Sequence, residues 1–171
     1  MNPLFLKTLV WNEQTKGFCS PTHHDFVWPK GIVARYCAKC ETDNFNPECT
    51  CGIYGSPHPN TLVEYAKYKN SVFVLMNSYG WMDVWTGPSD LPNTYITRSW
   101  GAQIIGIVGT MIKDHPFALS PQRLQVALLG VDYYQVEVLS WSVAKDMIAI
   151  TWEQHMSLCK YPYSILEKEL L

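Results

Sequence analysis

The residues best equipped for chemistry are four cysteines between positions 37 and 51: Cys37-Ala38-Lys39-Cys40 and, further on, Cys49-Thr50-Cys51. A tetrahedral ion needs four sulfurs converging at about 2.3 Å, and a two-residue spacer lets a tight turn aim both members of a pair at one point. The second pair has a single spacer, so its backbone must bend to turn both side chains inward. Gly52, directly after it, can adopt the dihedrals that such a bend requires. Pro47 and Pro57 stiffen the flanks. With cysteine at all four positions the shell is closed, as in structural sites, whereas catalytic zinc keeps a position open for water. The spacing therefore predicts a structural Zn2+ held by Cys37, Cys40, Cys49 and Cys51, which supplies stability and shape and no reaction.

Two other uses of these thiols fit the sequence less well. Disulfides are disfavoured because Met1 to Val10 has neither a basic leader nor a small-residue cleavage site, which points to a reducing compartment and a cytoplasmic location. An iron–sulfur cluster also takes four thiolates, but the common ferredoxin runs are spaced differently. Cys19 and Cys159 lie far off in sequence and are expected to be small buried apolar side chains.

His23-His24-Asp25 is the other cluster of reactive types, and it suggests a small hydrolase or a second metal site as an alternative function. Neighbours in a strand face opposite sides, so the three converge only in a turn. After Ser20-Pro21-Thr22 the run reads as an exposed polar loop. His58 could replace a cysteine ligand, but four thiolates already complete the shell; His115 and His155 stand alone. There is no nucleophile elbow and no phosphate-binding glycine motif. Gly101, Gly106 and Gly109 instead suggest bulges or close strand packing in an apolar β run.

These groups must be carried by elements that the apolar pattern marks out. Residues 2 to 36 alternate short apolar runs with turn residues and read as antiparallel strands. Asn60 can cap a short helix reaching Lys69. Ser71 to Trp85 and Thr94 to Met111 are rich in Val, Ile, Phe, Tyr and Trp and read as two or more strands. Ser120-Pro121 opens a helix expected to stop at Gly130. Tyr134, Val136 and Val138 alternate as a strand would, a further helix is expected from about Ser140, and Ser164 to Leu171 suits a short amphipathic helix. The expected class is α+β: one domain over residues 1–171, β-rich over 1–112 with the zinc loop at 37–51, and helix-rich over 113–171.

The 171 residues include 13 Lys and Arg against 15 Asp and Glu, a net charge of −2, with 47% hydrophobic, 13% aromatic and only 16% charged residues. That composition belongs to a folded globule and argues against bulk-charge binding of nucleic acid. The longest apolar stretch, Ala102 to Ile112, is too short to span a bilayer as a helix. Tyr79, Trp81, Trp85, Tyr95, Arg98 and Trp100 form a candidate interaction surface, since exposed aromatics insert into partner pockets or stack on bases. Residues 71 to 112 carry few cations, so a protein partner, a second copy of the chain included, ranks above nucleic acid, and a nucleic-acid-binding zinc module remains the third reading.

Trp28-Pro29, Ala34, Cys37 and Cys49-Thr50-Cys51-Gly52-Ile53-Tyr54-Gly55 resemble a group of uncharacterised small bacterial and phage proteins that share a Cys-x-Cys-Gly-Ile-Tyr/His-Ala/Gly stretch. The resemblance spans residues 17 to 107. It departs where the group has an apolar-Trp-Gly step and this chain has Ser78-Tyr79-Gly80. It departs again where the group has Gly-Trp-Arg-Ala and this chain has Arg98-Ser99-Trp100-Gly101-Ala102. The resemblance implies a metal loop on a β architecture and no known activity. Because the group includes phage proteins, it implies a viral inhibitor of a host defence protein as one concrete form of a non-enzymatic binding protein.

Overall fold

A computed structural model describes residues 1–34, 49, 51–59, 62, 70–86 and 95–154. Among them are eight strands and two helices in chain order: β1 (Leu4–Asn12), β2 (Gly17–Ser20), β3 (His23–Val27), β4 (Val33–Ala34), β5 (Ile53–Gly55), β6 (Ser71–Thr86), β7 (Tyr95–Val108), α1 (Pro121–Tyr134), β8 (Glu137–Leu139) and α2 (Trp141–Gln154). The class is α+β, with a sheet antiparallel at every pairing except β7 with β8. The helices expected at 60–69 and 164–171 fall outside the described residues, Leu62 apart.

The β-branched and aromatic runs expected to be strands form the long β6–β7 hairpin at the centre, in the order β3-β2-β1-β6-β7-β4. The far edge of β7 is met in succession by β5 at Thr97–Ser99, β4 at Gly101–Ala102 and β8 at Gly106–Val108. Close packing explains the glycines along this edge. A side chain at Gly101 would meet the Val33 carbonyl at 2.9 Å, and one at Gly106 the Leu139 side chain at 2.8 Å.

The second edge of β1 is also covered piecewise, as an edge that would otherwise invite foreign strands should be. Leu4 donates its N–H to Thr151 Oγ1 (3.1 Å) and accepts from the Trp152 indole (2.7 Å), both on α2. Leu6 and Ser56 exchange two backbone hydrogen bonds of 2.6 and 2.9 Å. Val10 to Asn12 pair with β2. The Leu6–Ser56 exchange closes a hydrogen-bonded circuit from β1 through β6, β7 and β5 back to β1. Leu4, Phe5, Leu6 and Leu9 are accordingly fully buried, covering both faces of β1.

α1 begins as expected, with Ser120 Oγ accepting the Arg123 N–H at 3.3 Å and proline in the first turn. It does not stop at Gly130. A side chain there would lie 2.6 Å from the Phe18 ring, so this glycine lets the helix approach β2. The true end is Gln135, in the left-handed region at φ 55°, whose N–H reaches the Val131 carbonyl. The strand expected from Tyr134 is correspondingly shorter, Glu137–Leu139 alone. α2 starts after Ser140, whose Oγ accepts the Val143 N–H.

Candidate metal centre

Of the four predicted ligands, Cys49 and Cys51 belong to the described residues; Cys37 and Cys40 lie outside them. Among the described residues, no three His, Cys, Asp or Glu side chains form a group able to hold a metal ion. Cys49 and Cys51 stand at the root of an arm that enters the sheet as β5. The Cys51 N–H donates to Cys49 Sγ at 3.4 Å, a contact that offsets negative charge on sulfur. The bend anticipated from the single spacer falls at Gly52, φ +110°. A side chain on Gly52 would meet Arg98 Cγ at 2.8 Å and both the Ser99 carbonyl and the Trp81 ring at 2.9 Å.

The arm is held on two sides. Lys7 Nζ donates to the Tyr54 carbonyl at 2.7 Å, and Arg98 Nη1 donates to the Cys49 carbonyl. Tyr54, Arg98 and Asp83 form one row across β5, β7 and β6. Arg98 Nη2 lies 3.8 Å from Asp83 Oδ2. The guanidinium carbon stands 5.4 Å from the centre of the Trp81 ring and 6.0 Å from that of Tyr54. Arg98 is 5% exposed and Asp83 7%. Removing two ions from water costs several kcal/mol each, so a buried pair is stable only with further partners, and the Cys49 carbonyl and two aromatic faces supply them here.

This placement revises the candidate interaction surface. Trp81 and Tyr95 are buried with Arg98 because large rings contribute most when removed from water. Tyr79 and Trp100 are half-buried, and the Tyr79 hydroxyl bonds Gln103 Oε1 (3.1 Å) and Asn77 Nδ2 (3.0 Å). Trp85 pairs with Ile96 in the ladder, its side chain lying outside the described residues. Three of the six thus belong to the interior. Asp83 was not anticipated beside Arg98. Its signal in the sequence is one charge set two residues after Trp81 in an apolar strand.

His23-His24-Asp25 begins strand β3, not the expected loop, so the neighbouring side chains of His24 and Asp25 point to opposite faces; the His23 side chain lies outside the described residues. His24 and Asp25 are exposed. Cys19, expected to be buried, is fully so. Its Sγ lies 3.7 Å from the Val10 carbonyl and 3.7 Å from His24 Nδ1, and burial pushes its thiol pKa up, which disfavours the thiolate a nucleophile needs. His58 donates its backbone N–H to Ser56 Oγ and sets its ring edge-to-face on Trp141. His115 Nδ1 accepts the Phe117 N–H. A cavity of about 300 Å³ lies between Trp11 and Asn70 on one side and Gln122, Gln125 and Leu129 of α1 on the other, away from β3 and the cysteine arm.

Comparison with protein-family models, curated proteins and solved structures gives no match to this chain. Among the described residues, no helix is long and apolar enough to cross a membrane.

Proposed function

We propose that the chain is a non-enzymatic binding protein whose shape is fixed by a structural zinc ion on Cys37, Cys40, Cys49 and Cys51. The observation that carries this reading is the rooted arm: Cys49 and Cys51 leave the sheet at a glycine bend, with a backbone N–H on one sulfur and a guanidinium on the adjoining carbonyl. That donor set suits a thiolate ligand, and four cysteines fit a closed site. Binding to a protein is supported by the low charge content and by exposed apolar side chains on α1, β8 and α2, namely Leu128, Val138, Val143 and Ile150.

One comparison tests both halves. The reduced wild-type chain and Cys49→Ser are immobilised, assayed for zinc, and exposed to a lysate of the native host. The expectation is about one zinc per wild-type chain, loss of zinc and of cooperative unfolding in the variant, and a protein retained by the wild type alone. A folded, metal-free wild-type chain under reducing conditions overturns the zinc site. Equal retention by both chains overturns the link between zinc and binding.

A further inference from the structure

We infer that Arg98 is the positioning residue of the cysteine arm, coupling closure of the metal site to the end of the β6–β7 hairpin where β6 finishes and β7 begins. The inference rests on the zinc reading above and goes beyond it by assigning the outer contact that aims the ligands. Arg98 is buried in the first third of β7, yet its guanidinium leaves its own strand to donate to the Cys49 carbonyl, the backbone of a predicted ligand. Three further contacts fix it from behind: Asp83 across the ladder at 3.8 Å, the Trp81 ring at 5.4 Å and the Tyr54 ring at 6.0 Å.

The pair with Asp83 does not compensate burial by itself. The separation is long for an ion pair, and Asp83 Oδ1 meets no hydrogen-bond donor among the described residues. The seated arm adds the Cys49 carbonyl to the partners of the guanidinium. Charge points the same way. Four thiolates around a divalent ion carry two negative charges in excess, and a fixed cation bound to the Cys49 carbonyl opposes them. Gly52 completes the fit, because a side chain there would strike the Arg98 stem and the Trp81 ring and lift the arm away.

Replacing Arg98 alone leaves Asp83 buried without its partner and endangers the fold, so the informative variant removes both charges: Arg98→Met with Asp83→Leu. Zinc affinity is measured by competition with a chromophoric chelator. Backbone hydrogen exchange is read by mass spectrometry over residues 49–55 and, as an internal reference, over β1. The expected result is an affinity about 10- to 100-fold weaker in the double variant, with faster exchange in 49–55 and unchanged protection of β1. Arg98→Lys, which keeps the charge but loses the fork that reaches Asp83 and Cys49 together, is expected to fall between the two. Equal zinc affinity and equal arm exchange in parent and double variant would overturn the role of Arg98. Absence of zinc from the parent chain would instead overturn the zinc reading.

Discussion

The hydroxyl of Tyr134 joins three separate parts of the chain. It donates to the Trp28 carbonyl at 2.8 Å and accepts the Phe18 N–H at 2.9 Å, while its ring stacks on Phe18 at 5.3 Å and an interplanar angle of 3°. Burial is the main reason its pKa is pushed up to about 12; the charges of Tyr133 and Cys19 add to the rise, and the Phe18 N–H opposes it. The neutral form is thus the one the fold prefers. Its contribution is fully present below the ordinary value of 10.0 and is lost as pH climbs from there toward 12, by about 2 kcal/mol. Urea unfolding should show that decline in the wild type and a flatter profile over the same window in Tyr134→Phe, which also starts about 1–3 kcal/mol lower because two buried backbone groups lose their partner. Parallel profiles would show that this hydroxyl does not set the alkaline limit. In the sequence Tyr134 looked like one member of an alternating strand, since nothing local reveals hydrogen bonds reaching back more than a hundred residues.

Among the elements, β6, β7 and the start of α2 were legible because each has a strong local cause: β-branched and aromatic content in the strands, and a serine cap before the helix. β3 and the true end of α1 were not. β3 is polar, lies at the sheet edge and pairs on one side, so its sequence carries little apolar alternation. Gly130 looked like a stop although its missing side chain serves tertiary packing against Phe18 and Ile107. The arm strand β5 can be tested on the same principle. A side chain on Gly55 would collide with the Phe5 ring and lie 2.5 Å from the Leu6 carbonyl, whereas one on Gly31 would meet nothing within 4 Å. Gly55→Ala should therefore destabilise by about 1–3 kcal/mol in urea unfolding, an overpacking cost, while Gly31→Ala should stay within about 0.5 kcal/mol of the wild type. Equal effects would mean that β5 does not press against β1 as closely as the geometry indicates.

At the scale of the whole molecule, the α+β class follows from local patterns, but closure of the sheet does not. Among the described residues, backbone closure rests on one reciprocal pair, Leu6 with Ser56, fifty positions apart in sequence, and no periodicity encodes such a contact. Its consequence is mechanical as well as topological. β7 is bordered by segments from before, within and after the central hairpin, so the N-terminal strands, the cysteine arm and the helical half all depend on a single ladder. If the circuit is part of the cooperative core, the amides of Leu6 and Ser56 can exchange with solvent only when the whole sheet opens, at the rate of the fully buried Val74 in β6, between β1 and β7. Native-state hydrogen exchange across a denaturant series should bring the three onto one line as global unfolding is approached. A Ser56 amide that exchanges faster, with a shallower denaturant dependence than Val74, would mean that the arm opens alone. The sheet would then be an open one with a cysteine-bearing flap laid over its edge.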